Sequence, residues 1–281
     1  MPTKHCSPKS DMTKNKHKPN PNHGDDRAEY VARKKFFDHM ITIYGRNPVL
    51  EALKDPELQI YRLHLAKSNR DSSVVKELKD LAASRTIEVV LHSREQLSII
   101  SRNSKQDQGV ACDIYCPGFQ PYQESLDSLV AQSKSDNISI IALDSVTNPQ
   151  NLGMIIRSVT ASPAYGLLLP SKGSAALSPL VIKASAGTAF KGNILSCNDL
   201  EQSLLEFQKR GFKLCTLTSH NATAISDFNP SEPTVFILGN ETHGVRQSIM
   251  DISDYRISIP MANGVESLNV AVTAALVAFN L

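Results

Sequence analysis

The chain has 281 residues, 41% of them hydrophobic and 21% charged, with no Trp. That length suits two modest domains, and no apolar run approaches the roughly 20 residues of a membrane span. The opening MPTKHCSPKSDMTKNKHKPN lacks the apolar core of a signal peptide, so a cytoplasmic location is expected, with an organelle the minor alternative. The five cysteines (Cys6, Cys112, Cys116, Cys197, Cys215) are scattered, and the close pair Cys112/Cys116 has three residues between rather than two. Free thiols in a reducing compartment, and no metal, are therefore expected.

The net charge of +2 is unevenly divided: +4 over residues 1–40, −1 over 41–136 and −1 over 137–281. The cationic excess lies in a tail where Pro, Asn, Lys and His replace hydrophobes. Residues 1 to about 35 are expected to be disordered, because they bury too little apolar surface to offset their ordering entropy. Such a tail adds phosphate attraction without reading sequence, and a solubilising extension with no partner is an equal alternative. The near-neutral body argues against a bulk nucleic-acid coat protein but not against a local basic groove.

Ordered structure is expected from Ile41. Asn47-Pro48 before VLEAL reads as a helix start, with Asn as N-cap and Pro at the first helical position. A strand (60–66), a Ser-capped helix (72–85), a strand (86–92), a helix (93–101) and a strand (109–116) follow from period and caps. This gives a small alternating α/β domain over 41–117, stopped by Pro117-Gly118, and 118–136 reads as a connecting helix. The remainder, 137–281, opens on the largely apolar strand NISIIAL, of the buried parallel kind. Strands then alternate with helices: a helix from about Asn151, strand 165–170, a helix from Ser178, strand 194–196 and a helix after Asn198-Asp199. Strands 212–217, 234–239 and 256–260 come next, and a helix from Leu268 closes the chain. The alternation predicts an α/β fold with a mostly parallel sheet and helices on both faces.

In such a sheet, ligands bind beyond the carboxyl ends of the strands. Three segments place small and polar residues there. In LDSVTNPQNLGMIIRSV (143–159), Asn151 can cap a helix, Gly153 allows close backbone approach, and Arg157 lies less than two turns on; alone it would be a solvated helix arginine. In VFILGNETHGV (235–245), a buried strand runs into backbone amides and small residues around one carboxylate, Glu241. His243 reads as a loop-tip histidine without a partner. In ISIPMANGVESLNVAVTAAL (257–276), Ser267 is the expected N-cap of an apolar helix whose first turn holds Asn269. The dinucleotide GxGxxG, the P-loop, HExxH, paired CxxC and GxSxG are all missing.

In order and spacing, NPQNLGMIIRS, FILGNETHGV and ISIPMANGVESLNVAVTAAL resemble the three signature motifs of the SpoU family of RNA ribose methyltransferases, within the knotted SPOUT superfamily. YGRNPVLEAL (44–53) is similar to the start of the L30e-like substrate-binding domain that many rRNA-modifying members carry. The resemblance implies a deep trefoil knot, S-adenosylmethionine as methyl donor, a ribose 2′-hydroxyl as acceptor, and a homodimer whose site borrows residues across the interface. It places Gly239, Ile259 and Leu268 at the methyl donor and Asn151, Arg157, Glu241, Ser267 and Asn269 at the reacting centre. Arg157 is expected to position RNA and stabilise charge, since a guanidinium is effectively never deprotonated in proteins. The proton would then leave through water or phosphate, with Glu241 orienting Arg157 or the RNA.

Three positions depart from the family pattern: Glu266 where a small residue is usual, Thr160 where alanine is common, and an early end at AFNL. None removes a named residue. The substrate implied is large-subunit rRNA, with guanosine as one candidate acceptor. The alternatives are a tRNA 2′-O-methyltransferase of the same fold and a catalytically silent RNA-binding or ribosome-assembly factor.

Overall fold

The computed structural model describes residues 23–69, 72–219 and 222–280. Residues 1–22, with Cys6 and most of the basic tail, lie outside the described residues. The expected disorder to residue 35 meets one difference: His23–Asp38 is a helix, α1. From Asp25 the composition turns to good helix formers (Arg27, Ala28, Glu29, Ala32, Arg33, Lys34, Lys35). Lys35 sits in the last turn, complementing the helix dipole.

Next come β1 (Met40–Tyr44), α2 (Arg46–Lys54), β2 (Gln59–Ala66), α3 (Ser73–Ser84), β3 (Glu88–His92), α4 (Arg94–Ser101) and β4 (Val110–Tyr115). The caps explain most of the boundaries. Ser72 accepts the Val75 amide at 3.3 Å to start α3, and Ser93 with Gln96 forms a reciprocal capping box on α4. At α2 the expected Asn47 cap is wrong: Gly45, at φ 94, occupies the cap, and Arg46 and Asn47 are already helical. These strands form one sheet in the order β1-β4-β2-β3. It is mixed, because β4 runs antiparallel to both β1 and β2 while β2 and β3 are parallel. One face packs Ile43, Leu63, Leu65, Cys112 and Ile114 with Val49 and Leu53 of α2 and Leu78 of α3.

The other face of this sheet carries a polar row across all four strands. Thr42 Oγ1 donates to Asp113 Oδ1 (2.6 Å), His64 Nε2 to Asp113 Oδ2 (2.9 Å), and His64 Nδ1 meets His92 Nε2 at 2.9 Å. Burial pushes the Asp113 carboxyl up, but hydrogen bonds from His64 and Thr42 and nearby positive charge outweigh it, so it lies below the ordinary range. His92 is held below its ordinary value by burial and by repulsion from His64 and Arg62.

The segment expected as a connector belongs to the second sheet. β5 (Phe119–Pro121) is its edge strand, and α5 (Tyr122–Gln132) buries Leu126 and Leu129 against it. Then follow β6 (Ser139–Leu143), α6 (Pro149–Ala161), β7 (Gly166–Pro170), α7 (Pro179–Ala184), β8 (Ile194–Cys197), α8 (Leu200–Lys209) and β9 (Lys213–Leu217). β10 (Thr223–Ala224), β11 (Thr234–Leu238), α9 (Gln247–Ile252), β12 (Tyr255–Ser258) and α10 (Val270–Phe279) complete the chain. The order is β10-β12-β9-β11-β6-β7-β8-β5, and every pairing is parallel. This is why β6, β7 and β11 are buried at every position.

Helices α6, α7 and α10 cover one face, and α5, α8 and α9 the other. The last helix leaves the β12 side of the sheet and packs on α6, which follows β6. Gly153 makes room for α7 on α6, since a Cβ there would stand 2.4 Å from the Ala184 Cβ and 2.6 Å from the Val181 oxygen. Phe119, Leu177, Ile182 and Phe190 in turn pack against the core of the small domain. Among the described residues no helix is long and apolar enough to cross a membrane.

Candidate active site

Because the strands are parallel, their carboxyl ends share one edge of the sheet, and the three motif segments meet there. The first begins one turn earlier than expected. Asn148, not Asn151, caps α6, with its Oδ1 accepting the amides of Gln150 (2.9 Å) and Asn151 (3.4 Å) and Pro149 at the first position. Asn151 is thereby released from capping, and it is 8% exposed. The expected Ser267 cap is likewise displaced. α10 starts at Val270, and Asn269 caps it, accepting the Ala271 amide at 2.9 Å. Ser267 is exposed in the preceding loop.

These displacements assemble a hydrogen-bonded row. Asn269 Nδ2 donates to Asn151 Oδ1 at 3.2 Å, and Asn151 Nδ2 donates to Glu241 Oε1. The direction is fixed from both ends: a carboxylate only accepts, so the Asn151 nitrogen faces Glu241, and the Ala271 amide requires the Asn269 oxygen. The second N–H of each asparagine and the second oxygen of Glu241 remain for a ligand. The row thus offers two donors and one carboxylate oxygen, polarised along a single chain.

The turn holding Glu241 is closed by its own hydrogen bonds. Asn240 and Gly244 exchange backbone hydrogen bonds (3.2 and 2.8 Å), and Asn240 Oδ1 accepts the Thr242 amide at 2.8 Å. Its base is Gly239, where a Cβ would stand 2.0 Å from the Gly244 carbonyl carbon and 2.2 Å from the Val245 nitrogen. Asn240 Nδ2 also donates to the Ser145 oxygen at 3.1 Å, tying this turn to the loop after β6. Beside it Asp144, 1% exposed, accepts both the Arg246 backbone amide and Arg246 Nε at 2.8 Å. Sequence reasoning missed this clamp; its signal was an acid directly after the apolar run IIAL.

Arg157 lies outside the row. It is exposed on α6, and no hydrogen bond or ion pair engages its side chain among the described residues. Glu241 therefore orients Asn151 rather than Arg157 in this chain. His243 is an exposed loop residue, as read from sequence. Gly239, Ile259 and Leu268 are each half-buried, at the ends of β11 and β12 and just before α10. Burial pushes the thiols of Cys215 and Cys116 up to about 12, so neither is a nucleophile near neutrality.

Residues 139–279 match the SpoU rRNA Methylase family, and residues 42–115 match the substrate-binding domain of RNA 2′-O ribose methyltransferases. This chain belongs to the SpoU methylase family. It is an S-adenosylmethionine-dependent RNA 2′-O-ribose methyltransferase of that family. An uncharacterized tRNA/rRNA methyltransferase of Mycolicibacterium vanbaalenii is 31% identical over 248 residues, covering 87% of this chain and 77% of the relative. One of the same description from Mycobacterium avium is 31% identical over 260 residues, covering 92% and 82%. Among solved structures, the fold is shared with the AdoMet-bound rRNA methyltransferase of Sinorhizobium meliloti (TM-score 0.57, 22% identity, 93% and 94% covered). It is also shared with the SpoU methyltransferase AviRb of Streptomyces viridochromogenes in complex with AdoMet (TM-score 0.59, 22% identity, 88% and 91% covered).

Proposed function

We propose that this SpoU methyltransferase modifies a ribose 2′-hydroxyl of large-subunit rRNA, using the Asn151–Glu241–Asn269 row as its reacting centre and Arg157 as its charge-stabilising cation. The observation that carries this reading is the row itself. Three residues distant in sequence, one from each motif, leave two N–H donors and one carboxylate oxygen at the carboxyl edge of a parallel sheet.

The neighbouring residues fit the methyl donor. Gly239, Ile259 and Leu268 present half-buried backbone and small apolar surface, beside the exposed apolar Met261 and Val265 of the 259–268 loop. Backbone groups of this kind suit an adenosine edge, and apolar walls suit a thioether chain. When bound, S-adenosylmethionine supplies an electrophilic methyl group. The chain's own residues must do the rest. A ribose hydroxyl is a poor nucleophile near neutrality, so the site has to hold it and lower the cost of its developing negative charge. The row's donors grip the ribose oxygens, Ser267 lines the same loop, and Arg157 faces the developing oxyanion while its proton passes to water or an RNA phosphate.

The domain division that serves this reading is 1–39 as tail and α1, 40–117 as RNA-binding domain, and 118–281 as catalytic domain, with β5 and α5 of 118–136 joining the larger sheet rather than forming a separate connector. Threading of α10 through a trefoil knot belongs to the same reading, and so does a homodimer. Val272, Leu276 and Phe279 recur along one exposed stripe of α10, and Met154 is exposed on α6 one turn before Arg157. A second protomer packed on this surface would carry Arg157 into its neighbour's reacting centre, which accounts for its standing outside the row of its own chain. Mixing Arg157→Ala protomers with Asn151→Ala protomers tests this directly. The mixture recovers methyl transfer if Arg157 works across the interface, and stays inactive if it works within its own chain. Offering rRNA and tRNA separately tests the acceptor, with 2′-O-methylnucleosides expected from rRNA.

A further inference from the structure

At the same edge of the sheet, on the other side of the Asp144–Arg246 clamp, a cleft of about 200 Å³ lies over the ends of β6, β7 and β8. Asp144, Lys172, Asn198 and Arg246 contribute to its lining. Its two acids are largely engaged within the protein. Both oxygens of Asp144 are taken by Arg246, and Ser145 Oγ adds a third bond at 3.1 Å. Asp199 caps α8, accepting the Gln202 amide at 3.0 Å.

Its cations are not so engaged. Arg246 uses its backbone amide and Nε on Asp144, and no bond takes either Nη among the described residues. Its side chain is nonetheless 51% exposed. A guanidinium anchored at Nε to a buried carboxylate presents its two Nη groups as a fixed fork, the geometry that grips a phosphate. Lys172, exposed on the loop after β7, has no acid partner among the described residues. Asn198 accepts from Ser171 Oγ at 3.2 Å, which leaves its amide nitrogen as a further donor.

We propose that this cleft holds a backbone phosphate of the RNA substrate, with Arg246 and Lys172 as its cationic contacts and Asp144 as the positioning residue for Arg246. The contact sets the RNA's register on the reacting centre, because the two loops joined by the clamp are those leading into Asn151 and Glu241. This inference rests on RNA being the substrate.

The test is the salt dependence of binding to a fluorescein-labelled single-stranded oligoribonucleotide of mixed sequence. Wild type, Lys172→Gln, Arg246→Gln and Arg246→Lys are compared, with S-adenosylmethionine affinity measured in parallel. Removing one phosphate contact lowers the slope of log K against log salt by about 0.7 for single-stranded nucleic acid. We expect that change and a roughly 5- to 20-fold loss of RNA affinity in both Gln variants, with S-adenosylmethionine affinity retained. Arg246→Lys keeps the charge but loses the fork, so it keeps the slope and loses part of the affinity. Unchanged RNA affinity and slope in both Gln variants overturn the proposal, and so does loss of S-adenosylmethionine affinity with RNA binding intact. Because binding is read without turnover, a wild type that binds RNA with the expected slope but transfers no methyl group contradicts the activity and leaves the cleft assignment standing.

Discussion

Gly239→Ala is the most informative single change, because the structure gives the size of the perturbation. The new Cβ would sit 2.0 Å from the Gly244 carbonyl carbon, with the Gly244 oxygen and Val245 nitrogen at 2.2 Å. Carbon–carbon contacts settle near 3.5 Å, so the turn must move by about 1.5 Å. All three obstacles are backbone, so no side chain can rotate away. The overpacking should cost about 1–3 kcal/mol, lowering Tm by a few degrees in a protein of this size. The larger effect falls on catalysis. The moving turn carries Glu241, which orients Asn151, and a misplacement of about 1 Å at a reacting centre can cost on the order of 100-fold. Calorimetry for stability and single-turnover methyl transfer for rate would separate the two. A folded Gly239→Ala protein with wild-type transfer and S-adenosylmethionine affinity would refute the argument that the Gly239 turn holds the reacting centre in place.

Asn269 has two roles that its variants separate. Asn269→Ala loses the cap of α10, worth about 1 kcal/mol, together with activity; Asn269→Asp keeps the cap acceptor, so its Tm should stay near wild type while transfer falls, and equal activity in the Asp variant would count against the row. Arg157→Lys should reduce transfer on the order of 100-fold with S-adenosylmethionine affinity unchanged, and near-normal turnover would show that the planar fork is irrelevant. The small domain should lose stability as pH falls, in two stages. His92 is harder to protonate folded than unfolded, so stability declines as pH drops below about 6.5. Asp113 is ionised more readily folded than unfolded, so its contribution is present above about pH 3.9 and is lost as pH falls through its lower folded value. Thermal melts of wild type and His92→Gln between pH 7.5 and 5.5 check the first stage, and parallel curves would contradict it.

Much of this architecture was legible because local and global signals agree. The apolar strands NISIIAL and TVFILG read as buried parallel strands, and they are β6 and β11 at the centre of the larger sheet. What was misread turns on which of two neighbouring residues caps a helix. Asn-Pro marks a helix start at Asn148-Pro149 but not at Asn47-Pro48, where Gly45 takes the cap. Ser267 and Asn269 are both good N-caps, and only the tertiary bond from Asn269 to Asn151 distinguishes them. β1 and α9 went unread because each is short: β1 merges with the apolar run after His39, and α9 has a single fully buried residue, Ile249. The mixed pairing of the small sheet could not follow from alternation alone, since β4 follows a helix, α4, yet inserts antiparallel between β1 and β2. The three motif segments were found from residue types, but their junction was not, because a bond spanning 118 positions has no local signature.

The most direct test of the account is transfer of label from methyl-labelled S-adenosylmethionine to total cellular RNA, with Arg157→Ala as control. Label should enter large-subunit rRNA, survive as a 2′-O-methylnucleoside after nuclease digestion, and disappear in the variant. Label on a base rather than a ribose, or undiminished transfer by Arg157→Ala, would contradict it.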